Sequence, residues 1–137
     1  MKKYLQYILA LALATTQLIS CTKDTATAEL NLAQGMLGDK TWYMDYKQTG
    51  EVVKTYVGQS TYFINFLNDG RTNDSDGLVG SYTVEKIGGQ LQIHVQVLTA
   101  NANATEYVYN IESIGAKNLI LSFQLNNLKT TYYYSTK

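Results

Sequence analysis

Few side chains in this 137-residue sequence are of types that carry out chemistry. There is one cysteine, Cys21, and one histidine, His94. A Cys or His metal site needs several such ligands, and a thiol nucleophile needs a base beside it, so both chemistries are short of parts. His94 lies between Gln92 and Gln96 in a strand-like alternation, which predicts a solvent-facing ring. Glu85, Glu106 and Glu112 fall on the same wet face, but nothing in their spacing pairs them as acid and base. Asp69, Asp74 and Asp76 gather within residues 68–77. An EF-hand loop would need an acid at Thr72 and a Glu at Thr83, so this stretch is expected to be a solvated turn. Catalysis, a metal and a cofactor are therefore not expected. What remains is binding. The 12 tyrosines supply apolar rings with hydroxyl handles, suited to a flat or amphipathic small molecule.

The segments that must place these residues begin with an address. Lys2 and Lys3 precede an apolar run from Tyr4 to Ala14, broken only by Gln6, and small or polar residues follow up to Cys21. This is the layout of an export signal, too short to span a bilayer. An ordinary secretory peptide with a chance cysteine is the alternative. Leu18-Ile19-Ser20-Cys21 resembles the lipobox of bacterial lipoproteins. That resemblance implies removal of residues 1–20, acylation of Cys21 and lipid anchoring to the bacterial outer membrane, as in Bacteroidetes lipoproteins. Two or more acyl chains hold a protein on a membrane where one is marginal. Without residues 1–20 the chain keeps 117 residues, the length of one domain, with 9 Lys plus Arg against 11 Asp plus Glu. That slight negative balance argues against nucleic acid as a partner. Residues 21–27 are expected to be a lipidated tether, and 28–137 the folded domain.

Leu30, Ala33 and Leu37 repeat at three and four residues. With Thr27 as N-cap and Gly38 as stop, they predict a short amphipathic helix over 28–37. From Lys40 onward the period is two. Trp42, Met44 and Tyr46 alternate with polar residues, as do Tyr62, Ile64 and Phe66; Leu91, Ile93, Val95 and Val97; and Leu119, Leu121, Phe123 and Leu125. Weaker strands are expected at 52–57, 78–85, 105–112 and 129–136. Turns at Thr49-Gly50, Asn68-Asp69-Gly70, Gly88-Gly89, Gly115-Ala116 and Asn126-Asn127 separate the strands.

Eight such strands make an all-β, antiparallel up-and-down meander, and closure into a barrel removes its exposed edges. An open sandwich is the rival. Leu37-Gly38-Asp39-Lys40-Thr41-Trp42, the 62–66 strand ending in Asn68-Asp69-Gly70, Gly80-Ser81-Tyr82, and Ile111-Glu112-Ser113-Ile114 leading to Leu119-Ile120-Leu121 together resemble the lipocalin-like domains of Bacteroidetes lipoproteins. The resemblance covers about residues 36–134. It implies an eight-stranded lipocalin-like barrel behind a short helix.

In such a meander, loops 48–51, 68–77, 99–104 and 126–128 share one mouth, while 58–60, 86–89 and 113–116 share the helix end. The inward residues nearest the loop-rich mouth would be Tyr46, Phe66, Tyr82, Val97, Tyr107, Phe123 and Tyr133. They are the candidate ligand-binding set; the alternative is that they simply fill the interior. Tyr132 and Tyr134 would then form an outer aromatic patch, and with a solidly packed barrel the protein would be a surface module for a protein or glycan, as an accessory subunit or inhibitor.

Overall fold

The structure is a computed structural model describing residues 25–98 and 104–137. The export segment, Cys21 and most of the loop at 99–104 lie outside the described residues. Among those described, no helix is long and apolar enough to cross a membrane.

Helix α1 occupies residues 25–37, starting three residues before the predicted 28 and so taking up part of the expected tether. Its Ala33 and Leu37 are buried in the core and Leu30 packs against it, as the three-and-four spacing requires. The Gly38 amide donates to the Gln34 carbonyl at 3.0 Å, and the left-handed turn that follows is made by Asp39, with φ of 54°. A Cβ at Gly38 would sit 1.9 Å from Asn68 Oδ1, so the Asn68 side chain would have to turn away to admit one. The neighbouring Asp39 carboxylate accepts the Asn68 backbone amide at 3.1 Å and its side-chain amide as well, fastening the helix exit to the next turn.

The strands are β1 (Lys40–Thr49), β2 (Val52–Thr55), β3 (Phe63–Phe66), β4 (Arg71–Asp74), β5 (Val79–Ile87), β6 (Gln90–Leu98), β7 (Ala104–Ile114), β8 (Asn118–Leu125) and β9 (Leu128–Ser135). All neighbours are antiparallel, and β9 pairs back onto β1, closing the sheet into a barrel. There are eight positions around the barrel, because β2 and β3 pair with the two ends of the same side of β1. They are halves of one wall strand, interrupted by an excursion at residues 56–62.

This corrects two expectations. The predicted strands 52–57 and 62–66 share one position and run the same way, toward the helix end. The predicted loop 68–77 contains β4, and thus supplies the eighth position. The turn at 67–70 therefore lies at the helix end, the turn at 75–78 lies toward the loop-rich mouth, and residues 58–60 belong to the wall excursion. The periodicity missed β4 because only one of its side chains, Thr72, is buried, with its hydroxyl donating to the Asn65 carbonyl at 2.8 Å.

Two bulges reset the inward face. Between Met44 and Tyr46 the β1–β9 register shifts, so Met44 faces Tyr134 while Tyr46 faces Tyr133. Between Ile111 and Ser113 the β7–β8 register shifts in the same manner, leaving Glu112 as the extra residue. The core lies in the helix half of the barrel, where Leu37, Trp42, Phe66, Ile93, Leu119 and Leu121 are all at most 1 % exposed. Trp42 Nε1 donates to the Leu37 carbonyl at 3.1 Å, satisfying both the buried ring and the helix end. The ion pair between Lys86 and Glu29 holds the outer turn of α1 against β5.

Candidate functional site

The other half of the barrel is not filled. A cavity of about 300 Å³ lies between Met44, Ile64, Val95, Val97 and Leu121, with Tyr56, Tyr62, Tyr107, Tyr109, Tyr132 and Tyr134 in its walls. The Cβ period of a strand sends alternate residues inward, so Tyr107 and Tyr109 arrive from β7 with Ile111 below them, and Tyr132 and Tyr134 from β9. Opposite Tyr132 in the register stands Leu121, and opposite Tyr134 stands Leu119, both core residues.

The cavity reaches the surface on the β2–β4 side. Its exposed lining residues, Tyr62, Asn73, Asp76 and Leu78, come from the 56–62 excursion, β4 and the 75–78 turn. There β4 ends at Asp74 beside Ile64, and no described strand pairs with the outer edge of β2. The wall is incomplete where the strands run short. Apolar side chains surround this end, among them Val52, Val53, Leu78, Val79, Leu125 and Leu128, all more than 40 % exposed.

Burial holds three of the phenols inside, those of Tyr109, Tyr132 and Tyr134, in their neutral form. Burial raises the Tyr109 and Tyr134 hydroxyls well above their ordinary range, with neighbouring tyrosines and the Asp74 carboxylate adding to the effect. Burial raises Tyr132 as well. Neutral phenols keep their O–H donors. Asp74 spends Oδ1 on its own turn, accepting the Asp76 and Leu78 amides at 2.9 and 3.0 Å. On the opposite wall Lys47 lines the same cavity, its ammonium 5.5 Å from the centre of the Tyr132 ring.

No family model, curated protein or solved structure matches this chain. The chemistry of the cavity must therefore carry the functional reading.

The seven residues singled out in the sequence are dispersed by the fold. Val97 and Tyr107 line the cavity, and Phe123 packs on the rings of Tyr107 and Tyr109 with centroids 6.4 and 5.7 Å away. Phe66 and Tyr82 make an edge-to-face pair at 4.9 Å at the helix end, where the Tyr82 hydroxyl donates to the Leu67 carbonyl at 3.0 Å. They sit there because the strand carrying Phe66 runs toward the helix. Tyr46 and Tyr133 meet edge to face at 6.3 Å on the outer side, since the bulge in β1 turned Tyr46 outward. Tyr132 and Tyr134, expected on the outer face, are the inward residues of β9. Sequence alternation placed Met44, Tyr62 and Ile64 inward as well, but assigned none of them to a site. Lys47 carried no signal, being a polar residue in a strand, and Asp74 drew notice only in an acidic stretch read as a solvated turn.

Outside the barrel, His94 lies on the polar face as expected, yet it is covered. Its side chain is 18 % exposed, Nδ1 lies 3.0 Å from Glu106 Oε1, and Nε2 is buried without a partner. Near it on the same face, Gln92 donates to the Asn110 side chain at 2.9 Å. In the 68–77 region Asp69 is paired with Arg71 at 2.6 Å.

Proposed function

We propose that this protein is a membrane-anchored, lipocalin-like binding protein that admits a small amphipathic or aromatic molecule to its barrel through the loop-rich end. The observation that carries the reading is the cavity of about 300 Å³ with six tyrosines in its walls. That volume is at the lower end of the usual range for small-molecule sites, and apolar walls with a few placed polar groups are their usual lining. A packed interior would have left no such space.

Anchoring rests on the sequence around Cys21. Three residues separate Cys21 from Thr25, the first described residue of α1, a reach of at most about 14 Å, and α1 closes the end of the barrel opposite the opening. A lipid on Cys21 would therefore hold the closed end to the membrane and leave the opening free. The role proposed is binding without turnover.

The test is mass spectrometry of small molecules released from the purified protein, together with titration of the uncharged dye N-phenylnaphthylamine. Val97→Phe, which fills the cavity from β6, should abolish dye binding while circular dichroism stays unchanged. A folded variant that binds the dye as the parent does would overturn the reading.

A further inference from the structure

Lys47 is a half-buried cation on the cavity wall, and no described carboxylate forms an ion pair with it. Directly across the β1–β2 ladder stands Lys54. Residues directly opposite in an antiparallel pair share a face, so Lys54 lies on the face that Lys47 and Tyr132 share, at the open end. Lys54 too has no ion-pair partner among the described residues. Like charges directly opposite each other destabilise a hairpin, and β2 is a short, exposed strand with little packing to offset that repulsion. Elsewhere Lys86 pairs with Glu29 and Lys129 with Glu112, while Lys40, Lys117 and Lys137, like Lys47, form no ion pair among the described residues. Lys47 differs from the other unpaired lysines in its place on the cavity wall, and Lys54 stands beside it across the ladder.

We propose that the cavity takes an anionic amphiphile, with its oxyanion between Lys47 and Lys54 and its apolar body against Tyr132, Val97 and Leu121. The proposal rests on the cavity reading above and names its ligand class. The ammonium groups supply charge-assisted donors, and the neutral Tyr132 phenol adds a hydroxyl nearby. The cation–π contact between Lys47 and Tyr132 holds one ammonium at the wall until an anion arrives. Asp74 and Asp76 also line the cavity, on the 74–78 turn, where Asp74 Oδ1 accepts the Asp76 and Leu78 amides, and neither carboxylate forms an ion pair with Lys47 or Lys54. An organic cation directed at Asp74 is the contrary outcome.

Two dyes with the same aromatic body decide the matter: anilinonaphthalene sulfonate, which is anionic, and N-phenylnaphthylamine, which is not. The parent protein should bind the sulfonate more tightly. Lys47→Gln combined with Lys54→Gln should weaken the sulfonate about tenfold more than it weakens the neutral dye, the scale of one lost charge-assisted contact. Circular dichroism checks that the variant is folded, since a loosened barrel would also bind the sulfonate dye. If the double variant does not fold, Lys54→Gln alone, on its exposed strand, should still weaken the sulfonate selectively by about threefold. Decanoate should displace the neutral dye better than decanol. Equal affinity for both dyes, loss of both together on substitution, or an unchanged sulfonate affinity would overturn the anion site and leave the cavity reading standing. Failure of the sulfonate alone to bind the parent protein would overturn the anion site, and failure of both dyes would overturn both readings.

Discussion

Glu112 shows how one residue can couple a backbone irregularity to a polar cluster. As the extra residue of the β7 bulge, it turns its carboxylate toward Ser122 and Lys129, each donating at 2.6 Å. Those hydrogen bonds, that of Lys129 foremost, hold its carboxyl below the ordinary value of 4.5. A carboxyl depressed in the fold stabilises fully above that ordinary value, and its contribution disappears as pH falls through the folded one. Urea midpoints followed downward from neutral pH should therefore drop through the carboxylate range, and Glu112→Gln should flatten the drop. Ser122, 1 % exposed, gains its partner from the same bulge. Gly80 makes a different kind of contribution, since a Cβ there would lie 2.2 Å from the Gln96 carbonyl oxygen in β6. Gly80→Ala should destabilise by about 1–3 kcal/mol, the usual cost of overpacking, as read from chemical denaturation. The need for a glycine at 80 cannot be seen in the sequence. It depends on how closely β6 approaches.

At the scale of elements, α1 acts as the floor of the barrel. Leu37, fully buried at its last turn, touches the core and passes its carbonyl to Trp42. Leu37→Ala should cost about 2–5 kcal/mol, and the loss should appear as a lower urea midpoint with an unchanged slope. The spacing of Leu30, Ala33 and Leu37 made this helix legible in advance, because the apolar face must lie on something and only the start of β1 is near. The strands with one apolar residue in two, such as β6 and β8, were legible for the same reason. Where legibility failed, the causes are specific. In β9 Tyr132, Tyr133 and Tyr134 are consecutive and chemically alike, so alternation alone cannot say which of them face inward; the register with Leu119 and Leu121 decides it. In β1 a single inserted residue, Asp45, reverses the side on which Tyr46 emerges. In β4 the sequence Arg-Thr-Asn-Asp resembles a turn, and pairing on both sides makes it a strand.

The whole molecule divides into a packed half over α1 and a hollow half lined with tyrosine. The hollow half makes an alkaline prediction. Tyr109 and Tyr134 are raised above the ordinary 10.0 by burial, so above that pH the unfolded chain releases phenolic protons that the folded chain retains. Stability should then fall by roughly 1.4 kcal/mol per pH unit for each of the two, and phenolate absorbance should show a late fraction that appears together with unfolding. Phenolate absorbance that completes before loss of the circular dichroism signal would contradict this. Anchoring belongs to the same scale: Cys21→Ala should release the protein from membranes in fractionation while the barrel remains folded, and a variant still on the membrane would refute lipidation.

Local alternation in the sequence is enough to place the period-two segments and the amphipathic helix before them, and the cost of unpaired edges favours a closed sheet over the open sandwich, which the pairing of β9 with β1 then excludes. Tertiary structure alone decided which tyrosines face a cavity, that β2 and β3 share one wall position, and that Lys47 lines the cavity with Lys54 across the ladder from it. Inward and outward faces depend on register, and register in this barrel is set by two one-residue bulges and a broken wall strand. No local pattern in the sequence marks any of these.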